Sequence, residues 1–159
     1  MTQTEFIKKV LIDEIGDILL NHKFLSFGLI ATGIELLGTC IESPKNSFYI
    51  QGESGNRFRL AIDQLFPSEY KRYNNLKNVN NFNCDLYIEL RCGMNHSLLP
   101  KSKIALTERK FNHKNLSSSG DKLLLVAEDF FEDFRNACNQ VIQKIDNGEI
   151  KERFSLNLI

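Results

Sequence analysis

Apolar residues recur every three or four positions along five parts of this sequence, which is the spacing of helices with one buried face. The first predicted helix is capped by Thr4 and runs through Leu20. Its apolar positions are Phe6, Val10, Leu11, Ile15, Ile18 and Leu19. Further helices are predicted over the ranges 22–41, 56–66, 82–99 and 128–147. Pro67 ends the third helix and Gly148 ends the fifth.

Two short apolar stretches before the last helix predict β-strands, at Lys103–Arg109 and Lys122–Ala127. The link between them is rich in Asn, Ser and Gly, which favours a long hairpin. The tail up to Ile159 either adds an edge strand or docks onto the helices. The chain of 159 residues fits one domain. The predicted fold is therefore mainly α: a single domain, 1–159, built as a bundle of four to five helices with a small β-hairpin before the last helix.

The second predicted helix is unusually apolar. From Phe24 to Ile41 it contains no Lys or Arg, and its length approaches the ~20 residues that span a bilayer. Glu35 lies within it, and neither basic loops nor an aromatic belt frames it, so we expect a fully buried central helix and no membrane span. Its glycines would let neighbouring backbones approach closely. A buried carboxylate needs a partner, so Glu35 is expected either to be paired inside the fold or to face a cleft.

Composition narrows the function classes. The 20 Lys and Arg residues balance 20 Asp and Glu residues, so no global field attracts nucleic acid or a membrane. The four cysteines are widely spaced and are expected as reduced core thiols, not as disulfides or zinc ligands. The first residues lack the features of a signal peptide, which predicts the cytoplasm. Neither a cofactor motif nor metal-ligand spacing occurs, so no cofactor and no metal are expected.

The fourth predicted helix carries the most chemically suggestive residues. At about 100° per residue, its core side is formed by Leu86, Tyr87, Leu90, Gly93 and Met94. Asp85, Glu89 and His96 fall on one polar line, and Arg91 and Asn95 form a second. Between the polar lines lie the apolar residues Ile88, Cys92 and Leu99. A helix with two apolar faces is buried twice, either by another part of its domain or by a second subunit.

His96 and Arg91 could together act on RNA. A histidine transfers protons near pH 7, and Glu89 could orient its ring. An arginine binds phosphate oxygens and stabilises negative charge on them. A 2′-hydroxyl activated by His96, with Arg91 on the phosphate, would give RNA cleavage without a metal. On a straight helix the two side chains point about 140° apart. They converge only if Gly93 distorts the helix, if Arg91 wraps round, or if a second protomer contributes.

The segment from Arg91 to His96 resembles the Arg-x(4–6)-His motif of the HEPN superfamily, small helical-bundle domains of prokaryotic toxin and defence systems. The resemblance implies a homodimer whose two motifs face each other and form a metal-independent endoribonuclease site. Arg91 would then bind the scissile phosphate, and His96 would act in proton transfer. Many HEPN motifs have a polar residue, often Asn, directly after the Arg. This chain instead has Cys92 there and places Asn95 before the His.

Structural roles compete with these catalytic ones. His96 could be a helix-end residue bonded to Glu89 or to a backbone carbonyl, and Arg91 could pair with Asp85 or Glu35. The second hypothesis is a non-catalytic module that dimerises or binds a partner protein through the same helix face. Basic residues after the motif could contact RNA phosphates: Lys101, Lys103, Arg109, Lys110, Lys114 and Lys122. Because no aromatic residues are interleaved with them, a solvated hairpin is the favoured interpretation. The acidic start of the last helix suits its dipole and could also meet this hairpin.

Overall fold

A computed structural model describes residues 1–43, 48, 50–74 and 83–157. The first helix, α1, runs unbroken through three segments, Gln3–Phe6, Ile7–Glu14 and Ile15–Asn21, of which the middle one is π-helical. The elements that follow are α2 (Lys23–Ile41), α3 (Ser54–Leu65) and a 3₁₀ segment (Ser68–Tyr73). Next, α4 joins a π-helical turn, Tyr87–Cys92, to Gly93–Ser97. The last elements are β1 (Ile104–Thr107), the 3₁₀ turn Arg109–Phe111, β2 (Ser117–Ser119), β3 (Lys122–Val126) and α5 (Ala127–Asp146).

The prediction of a mainly helical fold is confirmed, with local corrections at helix starts. The cap of α1 is Thr2, not Thr4. The Thr2 hydroxyl accepts a hydrogen bond from the Glu5 backbone N–H, and the Glu5 carboxylate accepts one from the Thr2 N–H. This reciprocal pair requires an acid three residues after the cap, and Thr4 has no acid there. The predicted start of α4 near Phe82 lies outside the described residues.

The helix α2 lies at the centre of the apolar core. Its buried face includes Phe27, Ile30, Ile34 and Leu37, which meet buried residues of α3, α4 and α5. A Cβ at Gly38 would overlap the backbone carbonyl of Arg57 on α3, and one at Gly33 would lie 2.5 Å from the Phe134 ring on α5. The expectation that these glycines permit close packing is confirmed.

The expectation that α2 is buried all round is wrong. Its outer residues include Leu25, which is 49% exposed, and Leu29, which is 40% exposed. Among the described helices, α2 is the one long and apolar enough to cross a bilayer, but 56% of its most apolar window is buried inside the fold. It is packed as the core helix of a folded domain.

The two predicted strands exist, but they do not pair with each other as a hairpin. They correspond to β1 and β3, which are parallel, with Ile104 opposite Leu123. The hairpin is the short antiparallel pair of β2 and β3, and β3 is the central strand. The linker could not form one long turn because the 3₁₀ turn and the left-handed residues Asn112 and Leu116 reverse the chain early. Parallel strands need such a crossover between them.

The C-terminal tail docks against the start of the chain. Ser155 forms a β-bridge with Thr2, and Arg153 donates hydrogen bonds to the Thr39 carbonyl and the Glu42 carboxylate. The ring of Phe154 packs edge-on against Phe6. Of the two predicted alternatives for the tail, docking is the one observed.

Candidate functional site

Asp85 fixes the start of α4. Its Oδ1 accepts hydrogen bonds from the backbone N–H groups of Tyr87 at 3.0 Å and Ile88 at 3.2 Å. Its Oδ2 lies 2.7 Å from Nη2 of Arg59 on α3. The carboxylate is therefore a helix cap and an ion-pair partner at the same time, and the side chain is only 1% exposed. Asp85, which was predicted to lie on one polar line with Glu89 and His96 and to support the candidate site, is a buried structural group.

Arg91 forms a polar cluster with Glu35 and Ser54, in which α4, α2 and the first residue of α3 meet. Nη2 of Arg91 lies 2.6 Å from Oε2 of Glu35 and donates to the Ser54 hydroxyl at 3.3 Å. The Ser54 hydroxyl donates to Oε1 of Glu35 at 2.5 Å. The side chains of Arg91 and Glu35 are 15% and 20% exposed. Of the two predicted roles for Glu35, the structure places it as a paired acid, and Arg91 is its partner.

One donor in this cluster is left without an acceptor. Nε of Arg91 is buried and has no hydrogen-bond partner in the described part of the chain. An orphaned buried donor costs free energy, about 1–3 kcal/mol, and invites an explanation. The cluster therefore bonds the guanidinium through Nη2 and leaves Nε without an acceptor among the described residues.

Tyr87 lies between two arginines of this region. The centre of its ring is 5.1 Å from the guanidinium carbon of Arg59 and 5.7 Å from that of Arg91. Both contacts are attractive because the face of an aromatic ring is electronegative. Burial raises the pKa of the Tyr87 hydroxyl, and its contact with the Cys92 thiol raises it further. The ring therefore stays neutral and positions both cations.

The antiparallel packing of α4 on α2 separates Arg91 from His96. Arg91 faces Glu35, and one turn later Asn95 accepts a hydrogen bond from the Thr32 hydroxyl at 3.3 Å. These contacts match the predicted polar line of Arg91 and Asn95. His96 comes one position after Asn95, on the exposed side of α4, and makes no hydrogen bond or ion pair with the described residues. No described contact joins the guanidinium of Arg91 to the imidazole of His96.

Glu89 accepts hydrogen bonds from the segment that follows α4 and does not contact the ring of His96. Its Oε2 accepts a hydrogen bond from the Lys103 backbone N–H at 3.0 Å, and its carbonyl accepts one from the Lys101 N–H at 2.8 Å. The carboxylate therefore holds the turn between α4 and β1. The described contacts do not include the structural role predicted for His96, a hydrogen bond to Glu89.

One of the basic residues after α4, Arg109, meets the acidic start of α5. Arg109 pairs with Asp129, and its backbone N–H donates to Glu128 at 2.8 Å. Lys103 lies 3.5 Å from Asp121 and Lys110 lies 3.0 Å from Glu108, whereas Lys101 is exposed. Three of the six basic residues predicted to contact phosphates are thus paired with acids at the surface.

Residues that sequence reasoning missed complete the site. Ser54 and Arg59 precede α4 by more than twenty positions, and no local spacing links them to Arg91. Among the described residues no group of three or more His, Cys, Asp or Glu could hold a metal ion. None of the four cysteines forms a disulfide within the described residues, and burial raises the pKa of Cys40 and of Cys84 to about 12. These two thiols stay protonated and unreactive at neutral pH.

Comparison with known proteins adds nothing to this description: no family model, curated protein or solved structure matches the chain.

Proposed function

We propose that this chain is a cytoplasmic helical interaction domain that binds a second copy of itself through the outer face of α2. The observation that carries the proposal is a stripe of four residues on that face, Leu25, Leu29, Thr32 and Leu36. Their spacing of four, three and four is the heptad spacing of a helix that packs on another helix along one seam. Two of them are large leucines at least two-fifths exposed. A stripe of this kind on a free monomer would be costly to expose.

The stripe continues on both sides. Between it and α1 lies an apolar groove of about 230 Å³, to which Phe6, Val10 and Ile18 contribute. On the other side, Gly28 faces Met94 of α4, and just beyond the end of α4 Leu98 and Leu99 are 65% and 59% exposed. The stripe and the groove together present an apolar surface, as the centre of an interface does.

Charge favours a second copy as the occupant. After the capping residue Glu5, the exposed charges on α1 are first basic and then acidic: Lys8 and Lys9, then Asp13, Glu14 and Asp17. The stripe on α2 runs antiparallel to α1. A twofold axis through the middle of the stripe would therefore bring the basic half of one α1 to the acidic half of the other. Equal numbers of acidic and basic residues in the chain leave no net repulsion between copies.

The test is the molar mass in solution, measured by light scattering during size-exclusion chromatography. We expect twice the mass of the 18.3 kDa chain at micromolar concentrations. Leu29→Glu places a charge in the centre of the seam and should give a monomer with an unchanged circular dichroism spectrum. Ile50→Glu, at a residue exposed to a similar degree outside the stripe, should remain dimeric. A wild-type protein that is monomeric throughout, or a dimer that survives Leu29→Glu, would refute the proposal.

A second candidate is metal-independent RNA cleavage of the HEPN type. It is supported by the exposed ring of His96 and by the guanidinium of Arg91, whose side chain is 15% exposed. Because no described contact joins these two groups within one chain, the reaction would use both protomers of the proposed dimer. The 2′-oxygen would attack the phosphorus as its proton passes to His96. The 5′-oxygen would leave and take a proton from solvent, giving a cyclic phosphate and a 5′-hydroxyl.

Incubation with single-stranded and structured RNA in chelator tests this candidate. Wild-type protein and His113→Ala, a control at the exposed histidine of the hairpin region, should cleave, and His96→Ala should not. Equal inertness of all three would leave the interaction domain as the function, and equal cleavage by all three would identify a contaminating nuclease.

A further inference from the structure

A large cleft in the described part of the molecule lies away from the Arg91–His96 segment and shares no residue with it. It encloses about 560 Å³ between the 3₁₀ segment Ser68–Tyr73, the chain just before β2 and the first half of α5. Pro67, Tyr73 and Leu116 give it apolar wall surface, and Tyr70, Asn115 and Asp133 meet in it as a polar group. A cleft of this size with a few convergent polar groups is the usual form of a small-molecule site.

The polar group is rigidly built. The Tyr70 side chain is 1% exposed, and its hydroxyl donates to Oδ2 of Asp133 at 2.6 Å. The direction of that proton is set by Asn115, whose Nδ2 donates to the Tyr70 oxygen at 2.8 Å. Asn115 is in turn held by the Val126 backbone N–H, which donates to its Oδ1 at 3.0 Å. The carboxylate of Asp133 is therefore fixed through one oxygen, and its other oxygen accepts no side-chain hydrogen bond from the described residues, so it can receive a ligand.

No cation offsets the charge of Asp133 among the described residues. Arg109 pairs with Asp129 and Arg135 pairs with Glu132, so these two arginines serve other acids of α5. Burial raises the pKa of Asp133, and repulsion from neighbouring carboxylates raises it further. The other charged residues along the wall of the cleft are Glu69, Arg72 and Lys114, and the described hydrogen bond to the carboxylate of Asp133 comes from Tyr70. A carboxylate whose ionised form is disfavoured and whose position is rigidly fixed is typical of functional sites.

We propose that this cleft binds a small organic ammonium ion. The ammonium group would donate to the free oxygen of Asp133, and its apolar body would lie on the wall formed by Tyr73, Leu116 and Pro67. Since the described residues offer no set of three metal-ligating side chains, an organic cation suits the cleft better than a metal ion. The Tyr70 hydroxyl would act as a positioning group that keeps the carboxylate aimed into the cleft.

Titration with phenethylamine, followed by calorimetry and by amide chemical shifts, tests the proposal. We expect saturable binding in the millimolar range or tighter, with shifts at residues 67–73 and 114–116. Phenylacetate, which has the same ring and the opposite charge, should not bind. Asp133→Asn keeps an acceptor for Tyr70 but removes the charge, and should weaken the binding of phenethylamine at least tenfold. Asp146→Asn, at an exposed acid on the same helix, should leave the affinity unchanged.

A melting curve of each variant confirms that it is folded. The proposal would be overturned by absent binding of phenethylamine, by equal affinity for phenylacetate, or by an Asp133→Asn variant that binds as well as wild type.

Discussion

At the scale of single residues, two partly buried carboxylates are stabilised by different partners. Glu35 faces a guanidinium and a hydroxyl, so its charge is offset inside the fold. Asp133 faces the neutral hydroxyl of Tyr70 and three other carboxylates, so its ionised form is less favourable in the folded protein than in the unfolded chain. The first arrangement contributes to stability, whereas the second costs stability whenever Asp133 is ionised.

The cost at Asp133 predicts a pH-dependent gain in stability for Asp133→Asn. A carboxyl whose folded pKa is raised binds protons more tightly when folded, so ionisation destabilises the fold above that pKa. The penalty fades as the pH falls through the folded pKa and is absent below the unfolded pKa. Asp133→Asn should therefore melt a few degrees higher than wild type at pH 7 and at the same temperature at pH 3, as measured by circular dichroism. A gain that is the same at both pH values would show that the charge is not its cause.

At the scale of elements, α2 determines how the other helices pack. Its small residues let α3 and α5 come close, and its polar residues Thr32 and Glu35 determine the register of α4. The apolar periodicity of α2 was sufficient to predict the helix, but it did not reveal which side would stay open. The open side of α2 is the part of its circumference that α1 and α4 do not cover.

The variants Gly38→Ala and Gly28→Ala distinguish the effect of close packing on stability from the effect of helix propensity. At Gly38 the new methyl would collide with the backbone of Arg57, so α2 and α3 must move apart, at a cost of about 2 kcal/mol in unfolding free energy. At Gly28 the nearest atoms belong to Met94 at 3.5 Å, an ordinary contact, and alanine should stabilise the helix by up to about 1 kcal/mol. Urea unfolding measures both. Equal changes in unfolding free energy for the two variants would mean that helix propensity alone determines the stability at both positions.

At the scale of the whole molecule, the end of the chain closes over its beginning. Arg153 is 9% exposed and reaches Glu42, which Arg57 also binds at 2.7 Å. The tail thereby connects α1, the end of α2 and the start of α3. Contacts between such distant parts of a chain make unfolding more cooperative, because no element can unfold without breaking its contacts with the others.

Replacement of Arg153 tests this connection. Arg153→Ala removes the bonds to Thr39 and Glu42 and should lower the unfolding free energy by about 2–3 kcal/mol, a loss typical of buried charged hydrogen bonds. Arg135→Ala removes an exposed pair with Glu132 on α5 and should cost less than about 0.5 kcal/mol. If thermal and urea unfolding give equal losses for the two variants, the tail is only loosely attached.

The candidate site was predicted in part. The polar line of Arg91 and Asn95 and the core side of α4 follow from helical spacing, and the structure agrees with both. The roles of Asp85 and Glu89 could not be assigned in this way. Each carboxylate bonds to backbone N–H groups whose position depends on where the helix starts and where the chain turns after it.

The sequence by itself determined which segments are helical and that one of them would be central, because the spacing of apolar residues is local information. Tertiary structure alone decided that β1 and β3 run parallel, that Ser54 and Glu35 hold Arg91, and that a cleft forms around Asp133. The physical reason is that ion pairs, strand order and cavities are set by groups far apart in the chain. These groups meet only after burial of the apolar faces has fixed how the helices pack.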